Sequence, residues 1–371
     1  MYIHELQTPA ILLDLDRMER NLRKYHDAAL SRGKQVWPMV KTHKSRELAQ
    51  LQLQTGCTGF LCGTLDEAEA LADMGAAQLM YAYPAATDVS AARLVALAQK
   101  CSLTVRLDDM DAARVMERNA AAADVRLRCT VIVDSGLHRF GVPPEGIPDF
   151  VRALTQLPHL EFCGISTHPG QVYGALTHAD VERCCAQERA AMAQAAAALR
   201  EAGFAVPLIT SGSTPTFFGA VEDANINICH PGNYIYHDVI QLSTDCAAEE
   251  DCALTVLAAV ISHPREDLFL IDAGAKCLGL DQGAHGTGAI RGFGRVVGHP
   301  ELTVAGLSEE VGKLHAEGPT ELKVGDLVRI IPNHACSTAN LTDYYVGVRG
   351  EEVERLIAVD MRSNSTKKGF M

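Results

Sequence analysis

Chemistry in this sequence concentrates in five short polar stretches: Lys-Thr-His at 41–43, Asp-Ser-Gly-Leu-His-Arg at 134–139, His-Pro-Gly-Gln-Val-Tyr at 168–173, Ser-Gly-Ser-Thr-Pro-Thr at 211–216 and His-Ala-Cys at 334–336. Lys41 follows the apolar run 36–40, which reads as a buried parallel strand carrying a lysine out of its carboxyl end. There an amine is placed to be desolvated and to attack a carbonyl, although a single strand-end lysine is more often solvated. His43 either stacks on a cofactor ring or bonds a backbone carbonyl. The Ser/Gly/Thr run at 211–216 starts a helix with small residues, whose free N–H groups suit a phosphate. A helix cap by Ser213 or Thr214 uses the same residues. A lysine facing a phosphate site across a barrel mouth suggests pyridoxal 5'-phosphate held as a Schiff base, and a sugar-phosphate aldolase would use the same parts. His334 and Cys336 share a face if their segment is a strand. Imidazole beside thiolate makes a partial site for zinc or a similar divalent ion, with coordination left for water and substrate. A bare His-x-Cys is more commonly a buried thiol beside a bonded histidine. Arg139 either binds a carboxylate or pairs with Asp134. Tyr173, Tyr234 and Tyr236 also read as half-buried core residues, and Asp272 with Lys276 as an ion pair in a turn.

The elements that must position these residues follow from periodicity. Short apolar runs alternate with helical patterns from 36 to 230, and eight of them read as strands. That count closes a (β/α)8 barrel, whose catalytic face lies at the carboxyl ends of its strands. The loops after strands 7 and 8 are the usual phosphate seat, and 211–216 falls there. After 241 the helical patterns give way to short alternating runs at 253–261, 267–271, 302–305, 327–331 and 356–359, with glycines clustered between 274 and 298. This predicts an α/β chain: a barrel over 8–241, opened by a short strand at 8–14, then an antiparallel β domain over 242–371, with 1–7 joining it. The tail at 363–371 reads as loose.

Composition narrows the function. A chain of 371 residues has room for a barrel plus an attachment, and 47% hydrophobic with 21% charged residues is ordinary for an enzyme with a large core. A net charge of −13 without a basic run argues against nucleic acid or anionic membrane as partner. No apolar stretch reaches spanning length, and residues 1–9 lack a signal-peptide core, so the expected compartment is the cytoplasm. The twelve cysteines are scattered through apolar segments, with no Cys-x-x-Cys, and read as buried thiols.

Taken in order, the motifs resemble the D-serine dehydratase and D-threonine aldolase family, whose barrel is shared with alanine racemase. The resemblance rests on Thr-Pro at 8–9, Lys-Thr-His-Lys-Ser at 41–45, Asp-Ser-Gly-Leu-His-Arg-Phe-Gly-Val at 134–142, the run at 211–216, His-Pro-Gly-Asn-Tyr at 230–234, Asp-Ala-Gly-Ala-Lys at 272–276 and Pro-Asn-His-Ala-Cys at 332–336. It implies pyridoxal 5'-phosphate, with Lys41 as Schiff-base lysine and proton carrier at Cα. It places Gly212, Ser213 and Thr214 on the phosphate with Tyr236, and His43 and Arg139 around the cofactor. His230 falls where alanine racemase has an arginine near the pyridine nitrogen. Tyr173 sits beside cofactor or substrate and, with His168, joins Lys41 as a catalytic candidate. His334 and Cys336 would hold a divalent ion, zinc ahead of manganese by ligand softness, against the substrate's β-hydroxyl. The His-x-Cys form is that of the family's dehydratases, whereas its aldolases use His-x-Asp. The leading expectation is therefore a D-serine or D-threonine dehydratase giving a 2-keto acid and ammonia. Retro-aldol cleavage to glycine and an aldehyde is the alternative: it uses the same metal–oxygen contact, and Gln171, where a second histidine is expected, leaves the base that would discriminate undecided. A racemase or a non-catalytic cofactor-binding protein stands further off. Family members pair as homodimers, so the expected partners are a second copy and a small D-amino acid.

Overall fold

The computed structural model describes residues 1–283 and 290–362. The tail at 363–371 and part of the glycine-rich stretch lie outside the described residues. Eight parallel strands, Gln35–Val36, Phe60–Cys62, Gln78–Tyr81, Ser102–Leu107, Leu127–Ile132, Leu160–Ser166, Leu208–Ser211 and Ile228–Cys229, pair in sequence order, and the last pairs with the first. The ring closes between the first two strands through a bridge from Met39 to Leu61, where the Leu61 N–H donates to Pro38 O at 2.9 Å. The helices between strands begin where capping residues fall: the side chains of Ser45, Thr64, Thr87, Asp109 and Thr177 each accept an N–H from the following turn. Trp37, Met39, Leu61, Met80, Ala82 and Ile228, from the strands or just beyond their ends, form one buried cluster.

The second sheet has nine strands, and its order corrects one expectation. Ala10–Asp14 does not open the barrel. It lies between Leu254–Arg265, antiparallel, and Tyr344–Arg349, parallel. Leu12 and Leu13 are both fully buried, so this strand has no polar face and needs cover on both sides. The chain crosses into the barrel only with the helix Leu15–Leu30.

The β half is bonded to the barrel mouth. The N–H groups of Val239 and Ile240 donate to Pro332 O and Asn333 O at 3.1 and 3.2 Å. The Ala335 N–H donates to buried Asp238 Oδ2 at 2.8 Å, and Tyr345 Oη to His43 O at 2.8 Å. Asp272 and Lys276 do not pair with each other: Asp272 accepts from Thr8 Oγ1 and the Ala259 N–H, while Lys276 pairs with Glu310. All twelve cysteines are free. Among the described residues no helix is long and apolar enough to cross a membrane.

Candidate active site

A cavity of about 310 Å³ opens at the carboxyl ends of the barrel strands. Of the residues singled out from sequence, Lys41, Arg139, His168, Tyr173, Gly212, Ser213, His230, His334 and Cys336 line it. The apolar run predicted as one strand pairs regularly only over Gln35–Val36. Lys41 then sits in a single helical turn, Val40–Thr42, and its Nζ donates to Tyr83 Oη at 3.4 Å. The second lysine of the motif is spoken for: Lys44 Nζ lies 2.7 Å from the fully buried carboxylate of Glu67.

His230 Nδ1 bonds Trp37 O at 2.9 Å, so that nitrogen carries the proton and Nε2 is an acceptor. Nε2 is buried without a hydrogen-bond partner, and burial holds the ring neutral, its pKa lowered to about 3. Arg106, next to last in strand Ser102–Leu107, is also buried in the cavity wall. Its Nε donates to Ser166 Oγ at 2.8 Å, and among the described residues no carboxylate pairs with it. Burial lowers its pKa to about 10, which leaves a guanidinium in need of an acceptor.

The loop after strand Leu208–Ser211 forms the cavity's small-residue wall. Gly212 has φ +148, and a Cβ there would meet the His230 backbone nitrogen at 2.7 Å, so only glycine lets these strand ends approach. His168 Nδ1 bonds Gly212 O at 3.1 Å. The hydroxyl of Tyr173 faces the Thr214 N–H, and burial foremost, then the nearby Cys336, raises its pKa.

His334 and Cys336 are not on a strand. Strand Leu327–Ile331 stops at Pro332, and His334 caps the short helix Ala335–Ala339. The two side chains still meet, because His334 is extended while Cys336 lies in the first helical turn. Burial alone would neutralise both groups, yet each draws the other toward charge: the imidazole pKa is raised and the thiol pKa lowered. Cys336 Sγ is 3.5 Å from Thr42 Oγ1, which ties this loop to the turn bearing Lys41. Asp281 Oδ1 lies 3.6 Å from His334 Nδ1. Among the described residues no cluster of three or more His, Cys, Asp or Glu side chains is disposed to hold a metal ion.

Three expected residues do not line the cavity. His43 is fully buried, bonded to Gln52 Oε1 at 3.2 Å and to the Ser45 N–H, with its pKa lowered to about 4 by burial. Neither expected alternative is what the ring does: it bonds a side-chain amide oxygen and accepts a backbone N–H within the core. Thr214 Oγ1 accepts the Tyr234 N–H, and Tyr236 packs edge-on against Tyr345 behind the cavity. Gln171 ties its loop to Ser135 O at 2.8 Å. Asp134 accepts from the His138 ring at 2.7 Å, while the Arg139 guanidinium lies over the Phe140 ring. Sequence reasoning missed Tyr83 and Arg106. Tyr83 follows a strand end, and a charged residue inside the apolar run Leu-Thr-Val-Arg-Leu was itself a signal.

A parallel barrel with a lysine at its mouth, a glycine-serine loop opposite and a His/Cys pair delivered by a β domain defines a two-part enzyme of alanine-racemase architecture. Residues 13–239 match the alanine racemase N-terminal domain, and residues 253–348 the putative serine dehydratase domain. The chain belongs to this family, that of D-serine dehydratase and D-threonine aldolase. It is 31% identical to the D-threo-3-hydroxyaspartate dehydratase of Delftia sp. (strain HT23) over 349 residues, covering 90% of this chain and 92% of that one. The crystal structure of D-threonine aldolase from Filomicrobium marinum superposes with a TM-score of 0.88 at 27% identity, covering 97% of both chains. A cysteine-to-alanine mutant of D-threo-3-hydroxyaspartate dehydratase in the metal-free form gives 0.89 at 28% identity, covering 96% of this chain and 99% of that one.

Proposed function

We propose that this chain is a pyridoxal-phosphate-dependent lyase acting on a β-hydroxy D-amino acid, with dehydration as its leading activity. The observation that carries this is the sharing of one cavity by Lys41 and the His334/Cys336 pair, joined through the Thr42–Cys336 contact. The cavity fits the cofactor chemically: it offers a lysine amine, a glycine-serine loop, an unpartnered histidine nitrogen and a guanidinium without a carboxylate partner. Lys41 would hold the aldehyde end, Gly212 and Ser213 the phosphate, with His230 and Arg106 left for the ring and its anionic substituents. When bound, pyridoxal phosphate withdraws electrons from the substrate's α-carbon, and a divalent ion polarises the β-oxygen.

The chain's own residues supply the rest. Lys41 is the base assigned to the α-proton, oriented by Tyr83. Tyr173 stays protonated at neutral pH because burial raises its pKa, so it donates and does not act as a base. His334 and Cys336 form the metal seat, zinc ahead of manganese, and the lowered thiol pKa favours the thiolate that ligation requires. Support for a metal also comes from the metal-free form described for the related dehydratase mutant. Gln171 bonds a backbone carbonyl and is not a cavity-lining base, which favours dehydration over retro-aldol cleavage. A homodimer in a reducing, cytoplasmic setting completes the reading, and twelve free thiols are in keeping with it.

The test is a product assay on the purified chain with D-threonine, D-serine and 3-hydroxy-D-aspartate, with and without chelator. Keto acid plus ammonia, lost on chelation, is expected. Glycine plus an aldehyde would move the assignment to the aldolase. No cofactor absorption after adding pyridoxal phosphate, or a band that survives Lys41→Ala, would overturn it.

A further inference from the structure

The guanidinium of Arg106 is buried in the cavity wall with most of its donors unanswered. The residue is 4% exposed and stands one place before the end of strand Ser102–Leu107. Its Nε donates to Ser166 Oγ at 2.8 Å, and Thr130 Oγ1 donates to the same oxygen at 3.1 Å. Those contacts orient the fork. Its two terminal nitrogens have no protein acceptor among the described residues.

The charged and titratable groups around it are occupied elsewhere or carry the wrong sign. Asp108, two residues on, is turned to the Gly141 N–H at 2.8 Å. Tyr83, just beyond the neighbouring strand, accepts from Lys41 Nζ at 3.4 Å. His230, across the barrel, is kept neutral by burial and has one nitrogen on Trp37 O. Arg139 bears the same charge as Arg106, is exposed, and lies over the Phe140 ring at 5.1 Å. A buried fork in this state needs an anionic acceptor from the ligand.

The order of substituents on the cofactor ring says which group meets it. In pyridoxal phosphate the aldehyde at C4 has the phosphate arm on one side, at C5, and a hydroxyl on the other, at C3. Lys41 follows the first barrel strand, and the Gly212–Ser213 loop follows the seventh. Around the closed ring the seventh strand reaches the first through the eighth, and the third and fourth lie beyond the first on the far side. A ring joined to Lys41 at C4, with its C5 arm toward the loop, therefore turns C3 toward the third and fourth strands. Tyr83 and Arg106 line the cavity there. The C3 hydroxyl is acidic, and a buried cation beside it favours its ionised form.

We propose that Arg106 is a cofactor-binding residue whose terminal nitrogens hold the C3 oxygen of the pyridine ring and keep it ionised, a task the exposed Arg139 does not perform. The proposal rests on reading the cavity as the cofactor's seat.

The test uses the full chain freed of cofactor and two probes without an aldehyde, so neither bonds to Lys41: pyridoxine 5'-phosphate and 3-deoxypyridoxine 5'-phosphate, which lacks the ring hydroxyl. The native chain should bind the hydroxyl-bearing probe about tenfold or more tighter. Arg106→Met should erase most of that preference, and Arg106→Lys should restore part of it because the cation returns. Arg139→Met should keep it. The ultraviolet spectrum of bound pyridoxine 5'-phosphate reports ionisation of its ring hydroxyl, and the midpoint should rise by about one pH unit or more in Arg106→Met. Arg106→Gln gives the same reading if the methionine variant fails to fold. A native chain without the preference, or an Arg106→Met variant that keeps both preference and midpoint, overturns the proposal; the latter is the result expected if Arg106 serves a substrate carboxylate instead. Failure of the native chain to bind either probe or pyridoxal 5'-phosphate would overturn the cofactor reading itself.

Discussion

Lys41 and Lys44 stand three residues apart in one motif; Lys41 lines the cavity, while Lys44 pairs with a buried carboxylate. Lys44→Met tests that division. The Lys44 side chain is 11% exposed and that of Glu67 is 0% exposed, with Nζ and Oε1 at 2.7 Å. The other oxygen of Glu67 accepts the N–H groups of Gly63 and Thr64 at 2.6 and 3.2 Å, closing the start of the helix Leu65–Asp73. Removing the ammonium leaves a buried carboxylate with only those backbone donors, at a cost of about 3–5 kcal/mol. Methionine preserves the aliphatic stem, and the positive φ of 48° is shared by both residues, so the backbone term cancels. The melting temperature should fall by about 5 °C. Adding Glu67→Gln should recover part of this, since the stranded charge is then gone. The assay is thermal unfolding followed by circular dichroism, paired with borohydride reduction and peptide mapping of the cofactor. The label should remain on Lys41 in the Lys44→Met variant. A melting shift below about 2 °C, or a label that is lost with Lys44, would refute the division of roles.

Other outcomes follow from the same geometry. Gly212→Ala puts a Cβ 2.7 Å from the His230 backbone nitrogen at a φ that only glycine adopts freely, so cofactor affinity should fall more than about tenfold, as titration of the cofactor-free chain would show. Cys336→Ser should abolish bound metal by elemental analysis and reduce lyase turnover, while the lysine-bound cofactor band persists. Glu188, fully buried on the helix His178–Glu201, has its pKa raised by burial from 4.5 to about 7, so its contribution to stability is full below about 4.5 and is lost as pH rises through 7. Urea unfolding at pH 5 and pH 8 should differ by about 3 kcal/mol more in the native chain than in Glu188→Gln.

Periodicity and punctuation made much of this protein legible in one dimension. Eight apolar runs separated by capped helices specify a closed parallel barrel, since each signal is local and each strand has its neighbours next in sequence. Residues at the ends of those runs, Lys41, His168, Gly212, Ser213 and His230, accordingly reach the cavity as the barrel rule requires. What local sequence cannot hold is which surfaces close on each other. Ala10–Asp14 looks like any buried strand, and only its pairing with Leu254–Arg265, far along the chain, assigns it to the β sheet. His43 and Lys44 share the motif of Lys41, yet Gln52 and Glu67 claim them for the core. Arg106 went unremarked in the sequence, and only the cavity gives a charged residue in that strand its reason. His334 and Cys336 are expected on one face of a strand, and they meet instead across the start of a short helix. Their meeting with Lys41 depends on Asp238, Thr42 and Tyr345 holding the β domain on the barrel mouth, contacts between residues distant in sequence that no local pattern encodes.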